Sequence, residues 1–111
     1  MSLPVTHDLT AYRGDSWYQE FRLKRDGLPV NLTNATVESE ARPTRASKGL
    51  AVSLSIVIED ATDGRFKLAL PEDGLPPATY AYDVEVREGT EVRTWIKGSL
   101  IVWRDVTNEL P

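Results

Sequence analysis

Hydrophobic residues recur at every second position along most of this chain, and that periodicity constrains the fold more than any other feature. Period two places alternate side chains on opposite faces of an extended backbone, whereas a helix needs a repeat near 3.6. In SWYQEFRLK, Trp17, Gln19, Phe21 and Leu23 share one face, and Tyr18, Glu20, Arg22 and Lys24 share the other. In ATVESEAR, Ala35, Val37, Ser39 and Ala41 oppose Thr36, Glu38, Glu40 and Arg42. AVSLSIVIE sets Val52, Leu54, Ile56 and Ile58 on one side, and its β-branched residues favour strand over a short helix. RFKLAL points Phe66, Leu68 and Leu70 inward, TYAYDVEV groups Tyr80, Tyr82, Val84 and Val86, and VRTWIKGSLIVW forms the last strand. RDGLP, PTRASKG, DATDG, PEDGLPPA and REGTE separate these segments as turns and loops.

Short strands at this spacing, each with one apolar face, predict an antiparallel sandwich or barrel whose sheets share one core. A chain of 111 residues fits a single domain, 1–111, with short tails expected at 1–6 and 105–111. There is no cysteine, which excludes a disulfide framework and thiolate metal sites. The 13 basic and 17 acidic residues give a net charge of −4 with no basic run, so no nucleic-acid partner is expected. MSLPVTHDL shows no secretory signal, and no apolar run approaches the roughly 20 residues that span a bilayer, so no membrane partner is expected either.

The last hairpin can be read in register. With Glu88-Gly89-Thr90 as a three-residue loop, Val86 faces Val92, Glu85 faces Arg93, Asp83 faces Trp95 and Tyr82 faces Ile96. Ile96, Leu100 and Val102 then point inward, while Trp95, Ile101 and Trp103 point outward beside Asp83 and Glu85. A tryptophan covers about 150–250 Å², so leaving one in water forgoes about 4–6 kcal/mol of gross burial. A row of exposed aromatics marks an interface, and Trp95, Ile101, Trp103, Asp83 and Glu85 are its candidate residues. Two other readings stand beside it: a loop or tail of the same chain covers the stripe, or a bulge at Gly98 flips the register beyond it. If Trp95 is exposed, Trp95→Ser leaves stability within about 1 kcal/mol.

Other motifs carry less chemistry. Arg13-Gly14-Asp15 reads as a structural turn between two strands rather than a receptor-docking tripeptide. His7 is the only histidine and lacks partners for a triad or a zinc site. The pairs Glu38/Glu40 and Asp83/Glu85 lie at i, i+2 on one strand face, where solvated acids are ordinary. Asn31-Leu32-Thr33 and Asn34-Ala35-Thr36 match a glycosylation sequon but sit in a stretch that favours Asn and Thr as turn residues. No catalytic residues, metal ligands or cofactor are assigned, and an enzyme is not expected.

The order of these signals resembles a known group. Arg13-Gly14-Asp15-Ser16, then Pro29-Val30-Asn31-Leu32-Thr33-Asn34, then Tyr80-Ala81-Tyr82-Asp83-Val84-Glu85, then the stretch from Gly98 to Thr107, resemble small bacteriophage virion proteins and the N-terminal domain of phage baseplate upper proteins. Asn31 and Asn34 stand where that group has Asp and Gly. The resemblance implies an all-β, immunoglobulin-like antiparallel β-sandwich of about seven strands. It also implies a non-enzymatic structural role in the virion, assembled in the cytoplasm of the bacterial host. No downstream receptor-binding or helical region is expected, and a small accessory protein fits: a baseplate, tail-tip or fibre-anchoring adaptor. Its partners would be other phage virion proteins, and a homo-oligomer, trimer or ring, is implied. A capsid decoration or head-fibre protein is the alternative, and a carbohydrate-binding module, with aromatics stacking on sugar rings, is a second.

Overall fold

The computed structural model describes residues 4–12, 17–44, 51–71 and 75–103. The alternation read from the sequence produces strands throughout: β1 (Val5–Thr6), β2 (Leu9–Tyr12), β3 (Tyr18–Arg22), β4 (Lys24–Arg25), β5 (Leu28–Pro29), β6 (Thr36–Pro43), β7 (Val52–Asp60), β8 (Arg65–Ala69), β9 (Ala78–Glu88) and β10 (Glu91–Trp103). β1, β4 and β5 are two residues long, and the other strands form the sandwich expected from the sequence. The first layer runs β10–β9–β6–β7, with β1 and β2 side by side along the outer edge of β10. The second runs β7–β8–β3.

β7 belongs to both layers. Val52 to Leu54 pair with β6, whereas Ser55 to Asp60 pair with β8, so one strand turns the corner between sheets. Phe66, Leu68, Val84 and Leu100 are fully enclosed between the layers. Burying each such side chain is worth about 1.5–3 kcal/mol. Val37, Ala41, Tyr80, Tyr82 and Val86 complete the core on the faces the alternation assigned them. Leu75 and Leu32 are also buried, although both lie outside strands.

Tyr80 donates its hydroxyl to the carbonyl of Pro76 at 2.7 Å. A tyrosine near the start of a long strand bonding back a few residues upstream is the corner device of immunoglobulin-like sandwiches. Asn31 behaves as a turn residue, its side-chain oxygen accepting from the Thr33 amide at 2.9 Å. Asp26 and Gly27, both at positive φ, form the two-residue turn of the β4–β5 hairpin.

Two features differ from the sequence expectation. β1 and β2 pair parallel to β10, so the sandwich is not wholly antiparallel, and Val5–Thr6 are strand residues rather than tail. Arg13-Gly14-Asp15 and the tail 105–111 lie outside the described residues.

Candidate functional site

The outer face of the first layer carries Ile101, Trp103, Asp83 and Glu85 of the predicted interface residues, and β10 decides how they are presented. The β9–β10 turn is Gly89-Thr90, with Glu88 opposite Glu91, and not the three-residue loop expected. Gly89 takes φ +62, the conformation that a tight two-residue hairpin turn requires and glycine supplies. The pairing therefore slips by one: Val92 lies opposite Arg87 and Thr94 opposite Glu85. A bulge between Thr94 and Ile96 then shifts it again, so that Ile96 meets Val84 and Gly98 meets Tyr82.

The slip and the bulge have opposite effects on facing. Ile96, Leu100 and Val102 point inward as expected, but Trp95 points inward as well. Trp95 is 6% exposed, which corrects the expectation that it lies on the outer stripe. Its ring is covered by the β4–β5 hairpin, with the Arg25 guanidinium 5.1 Å from the ring centroid. Strict alternation lets only one of two adjacent large apolar residues face inward. A bulge lets both do so. The bulge lies at Thr94/Ile96 and not at Gly98, and the slip at the turn has already taken Arg93 from Glu85 to a place opposite Val86, where it pairs with Glu91 at 3.4 Å.

Trp103 keeps its outward position at 53% exposure, and Ile101 is half-buried beside it. The parallel strand β2 brings Tyr12, also exposed, directly opposite Trp103. The aromatic stripe is therefore Tyr12, Ile101 and Trp103, at one end of the outer face. Tyr12 could not be found from the hairpin alone, because its neighbour is about ninety residues away in the chain.

Asp83 and Glu85 stand nearer the middle of that face, beside Glu40 and Glu38 of β6. Like charges directly opposite one another in a sheet are unfavourable. Partial burial, and then the Glu40 carboxylate, hold the Asp83 carboxyl above its ordinary value of 3.8, against the lowering effects of the Glu40 backbone and Arg42. Folding thus favours the protonated acid. Stability linked to Asp83 is fully present below the ordinary aspartate range and falls as pH rises through and above it. Asp83→Asn is expected to match the parent near pH 3 and to exceed it at pH 7, by less than about 1 kcal/mol because the group stays partly solvated. Urea denaturation at both pH values measures the difference.

Gly98 anchors the N-terminal strand. A Cβ there would lie 2.8 Å from the His7 carbonyl carbon and 2.9 Å from Asp8 Oδ1. Asp8 Oδ1 accepts from the Ser99 amide at 2.9 Å, the His7 amide donates to the Lys97 carbonyl at 2.8 Å, and the Tyr82 hydroxyl donates to the His7 carbonyl. Burial, and then the Asp8 carboxylate, raise the Tyr82 pKa far above the ordinary phenol value, which keeps that donor protonated. The His7 ring meets Phe21 edge-on at 5.4 Å, tying this crossing to the second layer. Gly98→Ala is expected to cost about 1–3 kcal/mol and to speed hydrogen exchange of the His7 and Ser99 amides before that of the β6–β9 ladder.

These elements define an immunoglobulin-like sandwich edged by a parallel N-terminal strand. The fold is similar to the N-terminal domain of ORF48 from phage TP901-1, at 16% identity and a TM-score of 0.58, over 92% of this chain and 91% of that one. A family 123 glycoside hydrolase from Clostridium perfringens aligns at 14% identity and a TM-score of 0.49, over 87% of this chain but 22% of that one. No protein-family model matches the sequence, and no curated protein matches it.

Proposed function

We propose that this chain is a non-enzymatic structural protein of a phage virion, an assembly or attachment module of the tail. The observation that carries the reading is the fold similarity to a phage protein domain over nearly the full length of both chains. The motif order from Arg13 to Thr107 supports it independently. The proposed contact surface is Tyr12, Ile101 and Trp103, where large apolar side chains reach solvent on a rigid sheet. Asp83 and Glu85 form its polar flank. Copies of the chain would pack through this stripe on one another, as a trimer or ring, or on a neighbouring virion protein.

Trp103→Ser is expected to change stability by less than about 1 kcal/mol and to reduce self-association or incorporation into particles. Light scattering of the purified protein and mass spectrometry of separated heads and tails are the measurements. Recovery with tails supports the reading. Recovery with heads alone favours a capsid decoration role, and absence from both overturns it.

A further inference from the structure

β10 is covered unevenly along its outer edge. Val5 pairs with Ile96 and Thr6 with Lys97, and β2 continues from Leu9 opposite Leu100 to Tyr12 opposite Trp103. Among the described residues no strand pairs with that edge ahead of Ile96, along the stretch from Val92 to Trp95. Unpaired strand edges present N–H and C=O groups that template a further strand. At this point the edge opens into a cleft of about 640 Å³, bounded by Pro4 at one end and by the β4–β5 hairpin along its side.

The cleft is basic in an acidic protein. Lys24, Arg25 and Arg93 line it against the single acid Asp26, whereas the chain as a whole carries a net charge of −4. Arg93 is shared with Glu91, but among the described residues neither Lys24 nor Arg25 has an ion-pair partner. Arg25 lies over the Trp95 ring, and that contact holds its charge at the cleft. Val92, which is exposed, and the edge of Trp95 add apolar surface.

We propose that this cleft binds an extended acidic segment of a partner protein, added as a short strand along Val92–Trp95. Main-chain pairing supplies the register, and alternate carboxylates reach Lys24 and Arg25. Four residues of strand span about 13 Å, so the contact is short and depends on charge. Free phosphate and nucleic acid share the anionic chemistry, but they would use neither the strand edge nor the apolar surface. The site is separate from the Tyr12–Trp103 stripe and stands whether or not the virion reading holds.

The test uses the full chain and a fluorescein-labelled, end-blocked peptide of alternating Glu and Val, read by fluorescence anisotropy at low salt and at about 0.15 M salt. Saturable binding is expected, together with a shift of the Trp95 indole N–H signal in NMR spectra. Lys24→Glu/Arg25→Glu is expected to weaken it by about tenfold or more, while Trp103→Ser leaves it unchanged. Thermal unfolding checks that the double variant folds, and Lys24→Glu alone replaces it if it does not. Three results overturn the proposal: no saturable binding, equal binding of a Lys/Val peptide, or full competition by inorganic phosphate or oligothymidylate at matched charge.

Discussion

Trp95→Ala is expected to lower folding stability by about 3–5 kcal/mol. The ring is buried beside the bulge in the β9–β10 ladder. Removing it also strips Arg25 of the aromatic face it covers, which frees the β4–β5 hairpin. Domains of this size have about 5–15 kcal/mol in all, so the variant would sit near the edge of folding. In urea the midpoint should fall while the slope stays constant, and Trp103→Ala should leave the midpoint nearly unchanged. If Trp95→Ala instead kept parental stability and altered only the oligomeric state, the inward placement of the ring would be wrong.

Gly64→Ala is expected to cost about 3 kcal/mol or more. Gly64 ends the turn between β7 and β8 at φ +70, and a Cβ there would lie 2.7 Å from the Leu23 carbonyl oxygen and 2.8 Å from that of Val30. Those contacts are backbone, so no side-chain rotation relieves them. The Leu23 amide also donates to the Gly64 carbonyl at 2.9 Å, and Leu32 donates to Ala61 at 2.7 Å. The turn is thereby sewn to the segment that precedes β6. Gly27 and Gly89 provide the control. Both take positive φ, yet a Cβ at either meets nothing within 4 Å. Alanine at these two positions should cost only the left-handed strain of about 1–2 kcal/mol. Similar losses at all three sites would mean that crowding at Gly64 contributes nothing.

The core was legible because its pattern is local. Val37, Ser39, Ala41, Phe66, Leu68, Tyr80, Tyr82, Val84 and Val86 all face inward as their alternation indicates. Even Ser39 fits, since its hydroxyl donates to the Asp83 carbonyl and satisfies the one buried polar side chain on that face. The candidate site was only partly legible. Alternation points Trp103 outward, where it lies, but it also sends Trp95 to solvent, because a regular ladder cannot hold Trp95 and Ile96 on one side. The adjacent bulky pair in TWIK is the sequence signal of a bulge, while the local matches Val86 to Val92 and Glu85 to Arg93 favour a regular ladder. A bulge at Gly98 is one sequence reading, but Gly98 pairs regularly with Tyr82 and is the point where the N-terminal segment crosses.

By itself the sequence determined that this chain forms strands and which face of most of them is apolar, because a pleated backbone turns period two directly into two surfaces. Tertiary structure decided where Trp95 goes, that Tyr12 joins Trp103, and that Gly98 must stay small. Each of these depends on a contact between segments far apart in the chain, such as Asp8 with Ser99. No local periodicity encodes such a contact, because it exists only once the two sheets have closed on one another.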